Sequence, residues 1–375
     1  MALKTILMTT DGVGGVWTYC MELAGAFRHR SANVVLASMG NALSPAQAQE
    51  AARQSNLVLF ESTFRLEWMT DAWADVSHAG DWLLDLEHQW IPGIVHLNGY
   101  AHGALPWRSP VLIAGHSCVL SWWEAVKGVA APASWDTYRQ KVTHGLHAAQ
   151  TVVAPSHAML ASLRKYYGPL PNGMVIYNGR SSSNFDIAAK EPYLLAVGRL
   201  WDEAKNIQLL AQIADRLPWP IYAVGESSGK ELSAGLWPLG VLPPSELTDW
   251  LRRASIFVHP ARYEPFGLSI LEAALSGCAL VIGDIQSLRE LWEGAAMFVS
   301  PDNPEQALAT LQELIRNESL RRALAQKAHS RAMDYGPERM ADAYLAVYEG
   351  LQSPSLAANL TKAHTAASAE IMEGC

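Results

Sequence analysis

Residues Ser255 to Asp284 read "SIFVHPARYEPFGLSILEAALSGCALVIGD". The apolar run "SIFVHP" leads through a polar turn into the helical pattern "LSILEAAL" and then a second apolar run, "ALVIGD". Continuous apolar strands joined through a helix pair in parallel, with both faces of the sheet covered. This stretch therefore predicts a strand–loop–helix–strand unit. Two glutamates interrupt it, Glu264 ahead of the helix and Glu272 inside it at an otherwise apolar position. Helix onset falls at Phe266 to Leu268, where free N–H groups attract an anion and Gly267 removes a side chain at the point of closest approach. Glu272 lies about 7 Å further along the axis at ~1.5 Å rise per residue, leaning back toward the N-terminus. An acid on an apolar face costs stability unless a partner satisfies it. The arrangement suits a ligand that carries both phosphates and hydroxyls.

The same alternation runs almost from end to end. Strand candidates in the first half are "TILMTT", "NVVLAS", "NLVLFE", "GIVHLN", "PVLIAG" and "TVVAP". The second half offers "YLLAVG", "WPIYAVG", "SIFVHP", "ALVIGD" and "AMFVSP", separated by helical patterns such as "NIQLLAQIADRL" and "PEQALATLQELIRN". That is too many strands for one ordinary sheet, and 375 residues exceed one ordinary core, so two doubly wound units are expected. The polar, serine-rich stretch Tyr177–Pro192 holds the break. The expected division is 1–180, a linker at 181–192, a second unit at 193–335, and a last helix with a loose tail at 336–375. That helix can cross back to the first unit.

Composition excludes several classes. Half the residues are hydrophobic and 17% are charged, as in a folded globular chain. The formal charge of -8 argues against a nucleic-acid partner. Cys20, Cys118, Cys278 and Cys375 are scattered without metal-ligand or disulfide spacing, and no signal-peptide pattern opens the chain. A cytoplasmic protein is expected. Neither an apolar span nor a basic amphipathic helix indicates membrane association.

Two further loops carry ligand-binding chemistry. "TTDGVGGVWTYC" follows the first strand and opens a helix, and Gly14 and Gly15 let its backbone approach a ligand. The dinucleotide fingerprint G-x-G-x-x-G is not met, so simple turn chemistry explains these glycines as well as ligand contact does. In "AVGRLWDEAKN", Arg199 and Lys205 sit beyond a strand's carboxyl end, where open α/β sheets bind ligands. A guanidinium and an ammonium six residues apart can clamp a diphosphate, although a solvated loop is the commoner use.

"RYEPFGLSILEAALSGCALVIGD" resembles the E-x7-E region of retaining glycosyltransferases of family four, which have the GT-B fold. The likeness spans nearly the whole chain, through "GVGGVWTYCMELA", "TVVAPSHAMLASL", "VIYNGR", "LLAVGRLWDEAKN" and "LGVLPPSELTDWLRRASIFVHPA" in the family's order. It implies two Rossmann-like α/β domains facing across a cleft, with a nucleotide-diphosphate sugar bound mainly on the second. Arg199 and Lys205 would hold the diphosphate, and Glu272 the ribose hydroxyls. Glu264 would bind the donor sugar, beside the amides of Phe266, Gly267 and Leu268. Gly240, Val241 and Leu242 would lie near the base, Gly14 and Gly15 near the phosphates, and His116 beside the reacting carbon.

Ser117 follows His116 where the family often has an acid, and Ser227 stands where it often has glycine. Charge separates in the expected reaction, and fixed cations with a helix N-terminus stabilise the leaving diphosphate. No D-x-D motif occurs, so no metal or other cofactor is expected. A front-face, ion-pair route matches the family's behaviour, and a brief covalent intermediate is the alternative. The first half holds nine of the fourteen tryptophans, which suit either sugar faces or core packing. The acceptor hydroxyl belongs to a small molecule or glycan: a saccharide, a polyol or an aglycone. The rival readings are a nucleotide-sugar epimerase or hydrolase of the same fold and a non-catalytic nucleotide-sugar-binding protein.

Overall fold

The computed structural model describes residues 5–226 and 235–353. Ser227 and the tail beyond Ser353 lie outside the described residues. The chain forms two parallel sheets. The first comprises β1 (Thr5–Asp11), β2 (Asn33–Met39), β3 (Leu57–Glu61), β4 (Ile94–Leu97), β5 (Val111–Ala114), β6 (Thr151–Ala154) and β7 (Gly173–Val175), in the order 3-2-1-4-5-6-7. The second comprises β8 (Glu191–Val197), β9 (Ile221–Val224), β10 (Leu236–Gly240), β11 (Ala254–His259), β12 (Ala279–Gly283) and β13 (Met297–Val299), in the order 10-9-8-11-12-13.

Alternate side chains feed opposite faces, as a period of two requires. Ile6 and Met8 enter one core and Leu7 the other, and in the second sheet Ile256 and Val258 oppose Phe257. Helices cover both faces of each sheet, giving two three-layered α/β units with four apolar clusters.

Two strands escape the sequence reading. β7 is three residues long and only partly buried, too short to show a period. β10 carries Pro238 and a register shift between Pro238 and Gly240, and proline is confined to edge strands or bulges. One predicted helix is broken. "NIQLLAQIADRL" is helical only over Ile207–Ala211, followed by a 3-10 turn at Ala214–Arg216. Pro218 holds Leu217 in extended backbone and so ends the 3-10 turn.

The final helix, Pro337–Gln352, returns to the first sheet and packs on Gly15–Arg28. Its Met340, Ala341, Tyr344, Tyr348 and Leu351 complete one apolar cluster of that unit. Tyr348 OH lies 2.5 Å from His96 Nδ1, and Tyr19 OH lies 3.2 Å from His96 Nε2. Burial lowers the His96 pKa to about 3, so this ring is a neutral link between two phenols. Tyr348→Ala is expected to reduce stability by about 3 kcal/mol, the usual cost of deleting a buried ring. An unchanged denaturation midpoint would show that the returning helix does not hold the first unit together.

Candidate active site

Each sheet has a point where its strand order reverses, and such switch points open a crevice at the strands' carboxyl ends. In the first sheet this point lies between β1 and β4, with Gly12–Gly15 and Asn98 above it. In the second it lies between β8 and β11, with the loops of Arg199–Lys205 and Tyr263–Gly267 above it. The two crevices face each other.

On the second unit, Lys205 Nζ lies 2.5 Å from Glu264 Oε2, joining the two switch-point loops. His259 Nε2 lies 3.2 Å from the same oxygen. Burial opposes the charge on Glu264, but Lys205 and His259 outweigh it and hold the carboxyl well below the usual range. Burial also lowers the His259 pKa, leaving that ring neutral. Arg199 Nη2 pairs with Asp202 Oδ2 at 2.7 Å, while its buried Nε has no hydrogen-bond partner among the described residues. The helix Leu268–Leu275 begins within the expected onset of Phe266 to Leu268. Gly267 is its N-cap at φ 88°, and no side chain caps it. A Cβ at Gly267 would lie 2.7 Å from Ile270 Cδ1, but it is the positive φ that favours glycine here.

From the first unit, the glycine loop meets these groups directly. A Cβ at Gly14 would lie 3.8 Å from Arg199 Nη1, and one at Gly15 would lie 3.3 Å from Leu268 Cδ1. His116 Nε2 lies 2.8 Å from Asn98 Oδ1, and the Asn98 amide nitrogen donates to the Thr9 carbonyl at 2.6 Å. That chain assigns the proton to Nε2 and leaves Nδ1 as an acceptor. Burial lowers the His116 pKa to about 4, so the ring is neutral.

The sequence-predicted residues therefore divide. Arg199, Lys205, Glu264, Gly267 and Leu268 converge on one wall, Gly14 and Gly15 face it, and His116 stands in the first unit beside Asn98 and Tyr19. Phe266 is a core side chain against Tyr335, so its backbone alone can serve a ligand. Gly240 ends the edge strand β10, Val241 and Leu242 follow it, and Val241 is 75% exposed. Glu272 is buried and bonded: Arg180 Nε donates to its Oε1 at 2.8 Å.

Several residues escaped the sequence reading. Asp11 closes β1 and accepts the Val13 N–H at 2.8 Å. Burial pushes its carboxyl up to about 6, against the pull of the Val13 amide and of Arg199. Only its place at the end of the first strand, just before the glycines, could have flagged it. Tyr263 and Pro265, the two neighbours of Glu264, reach the first unit. The Tyr263 OH accepts the Cys118 N–H at 3.0 Å and lies 2.9 Å from Ser121 Oγ. Ser156 Oγ donates to the Pro265 carbonyl at 2.8 Å. Glu290 accepts the His157 and Ala158 N–H groups at 2.8 and 2.9 Å, capping a first-unit helix with a second-unit acid.

Comparison with known proteins places this architecture. Residues 13–183 match Glycosyltransferase Family 4 and residues 191–317 match Glycosyl transferases group 1. An N-acetylgalactosaminyltransferase of Campylobacter jejuni that acts on a diphospho-undecaprenol-linked sugar is 28% identical over 44% of this chain and 51% of its own length. A D-inositol 3-phosphate glycosyltransferase of Frankia alni is 33% identical over 31% of this chain and 29% of its own. The chain spans about half or less of the length of these curated relatives. Among solved structures, sucrose-phosphate synthase from Thermosynechococcus elongatus aligns with TM-score 0.76 at 18% identity, covering 93% of this chain and 99% of that one. Anabaena HepE in complex with UDP and glucose aligns with TM-score 0.74 at 14% identity, covering 93% and 100%. With both halves matched in order and the GT-B fold in place, the chain belongs to the family-four glycosyltransferases.

Proposed function

We propose that this protein transfers a hexose, with retention of anomeric configuration, from a nucleotide-diphosphate sugar to an acceptor hydroxyl. The observation that carries the reading is the convergence of Arg199, Lys205 and the uncapped N-terminus of Leu268–Leu275 on one wall of the cleft, opposite Gly14 and Gly15. Phosphate oxygens are the ligand chemistry that suits two cations and free backbone N–H groups together. Gly14 and Gly15 let the first unit's backbone come within van der Waals reach of that wall.

As the sugar–phosphate bond breaks, negative charge grows on the diphosphate and positive charge on the anomeric carbon. Groups already fixed against the diphosphate stabilise it without reorganising. In this reading they replace a metal, so the reaction needs neither metal nor prosthetic group. Glu264 keeps its charge at every working pH and receives sugar hydroxyls, while Glu272 receives the ribose hydroxyls. His116 offers Nδ1 as an acceptor near the reacting carbon. Asp11, on the opposite lobe, takes a hydrogen bond from the incoming acceptor. The acceptor attacks from the face the diphosphate leaves, which accounts for retention without a dedicated nucleophile.

A thermal-shift screen with UDP-, GDP- and ADP-sugars is expected to raise Tm with one of them, because a ligand specific for the native state stabilises it. UDP-glucose is the first candidate, given the UDP and glucose bound by HepE. No shift with any of the three would refute donor binding. Lys205→Ala and Glu264→Gln are each expected to lower kcat at least tenfold, about 1.4 kcal/mol of transition-state stabilisation, with the fold intact. Full turnover in either variant would overturn the assignment of that wall.

Asp11 gives a pH signature. Its folded-state carboxyl titrates near 6 and its unfolded one near 3.8, so the native state binds the proton more tightly. Stability contributed by that proton is present below about pH 4 and is lost as pH rises through about 6. Asp11→Asn keeps the acceptor oxygen for Val13 and removes the penalty. It is expected to raise stability by about 3 kcal/mol at pH 8 and by little at pH 4, read as a gap in Tm that closes on acidification. An equal gap at both pH values would show that the Asp11 carboxyl is not desolvated.

A further inference from the structure

The chain crosses between the two units twice, and the crossings touch. A Cβ at Gly179 would lie 2.5 Å from the Gly336 carbonyl oxygen, and the Arg180 N–H donates to the Tyr335 carbonyl at 2.9 Å. The Gly179 N–H points at Met340 Sδ, 3.3 Å away on the returning helix. Arg180 therefore sits on the hinge itself. Its guanidinium spans both units: Nη1 lies 2.5 Å from Glu22 Oε1 on the helix Gly15–Arg28, and Nε lies 2.8 Å from Glu272 Oε1 on the helix Leu268–Leu275. All three side chains are largely buried, at 10% exposure for Glu22, 19% for Arg180 and 11% for Glu272. Among the described residues, Glu272 Oε2 has no protein donor.

We propose that Arg180 is a positioning residue: it fixes one oxygen of Glu272 and leaves the other for the ribose hydroxyls, so that nucleotide recognition depends on the hinge. This rests on the assignment of Glu272 to the ribose. One guanidinium here serves two acids. Burial pushes both carboxyls up and Arg180 pulls both down, and for each the net shift is upward. The charged groups facing Glu272 are Arg180 and Glu22, and those facing Glu22 are Arg180 and Glu50. Without Arg180, burial and the neighbouring acid both favour a protonated Glu272. A protonated carboxyl donates where a ribose diol needs an acceptor.

The test uses whichever of UDP, GDP and ADP stabilises the full chain most, together with its 2′-deoxy counterpart, in calorimetric titrations from pH 4.5 to 8.5. The readout is the ratio of the two dissociation constants. Wild type is expected to prefer the ribonucleotide about tenfold from pH 6.5 upward and to lose the preference toward the acid end. Arg180→Met is expected to bring the ratio near one at pH 6.5, with partial recovery at pH 8.5 as Glu272 regains its charge. Arg180→Lys is expected to restore most of the preference. Glu272→Gln should abolish it throughout. If Glu272→Gln keeps the preference, the ribose assignment itself falls. If Glu272→Gln loses it while Arg180→Met keeps the wild-type ratio at all pH values, only the role of Arg180 falls. Should Arg180→Met not fold, Glu22→Gln decides: with a single acid left on Arg180, the preference is expected to persist to lower pH than in wild type. An unmoved pH limb overturns the proposal.

Discussion

Lys205 and Glu264 form an ion pair at 2.5 Å with both side chains mostly out of water, at 19% and 12% exposure. Such a pair is poor evidence for stability, since desolvating two charges offsets most of their attraction. Its significance is positional. Lys205 follows β8 and Glu264 follows β11, so the pair pins together the two loops that flank the switch point of the second sheet. It also holds a cation and an anion at fixed places on one wall. A substrate with a diphosphate at one end and hydroxyls at the other can compete for both charges without either moving far.

The pair is not maintained by the second unit alone. Tyr263 and Pro265, on either side of Glu264, are hydrogen-bonded to Cys118 and Ser156 of the first unit. The position of the carboxylate is thus a property of the closed arrangement of both units. Arg180 extends that dependence to Glu272, through a guanidinium shared with Glu22. The returning helix adds a third tie, because Tyr344 and Tyr348 fill the core beneath the glycine loop's own helix. In each case a side chain from one unit completes a site or core in the other.

Eleven strand candidates and the order of motifs were legible because buried parallel strands advertise themselves as unbroken apolar runs. β7 and β10 were not, since an edge strand is short, half-exposed and, in β10, interrupted by Pro238. The wall of Arg199, Lys205, Glu264 and Gly267 was legible because loops after strands in this fold point to one place. The partnership of Arg180, Glu22 and Glu272 was not, because it joins positions 158 and 92 residues apart across two units. The acid at 272 looked unsatisfied in sequence and is satisfied in part by an arginine from the hinge. Asp11 was hidden for a different reason: a single acid at a strand end carries no pattern, and its meaning comes from burial.

The distribution of charge across the cleft follows from these placements. Arg199 and Lys205 stand on the wall assigned to the leaving diphosphate, whereas the first unit presents Asp11 and a neutral His116. A protonated imidazole about 4 Å from the anomeric carbon would oppose its developing positive charge by about 4 kcal/mol at an effective dielectric constant of 20. That equals about three powers of ten in rate. Burial, which lowers the His116 pKa to about 4, removes this penalty throughout the neutral range. The Asn98 amide, held by the Thr9 backbone, then decides which ring nitrogen keeps the proton. In the proposed reaction, the same desolvation that costs stability at Asp11 and His116 would keep positive charge off the side of the cleft assigned to the reacting carbon.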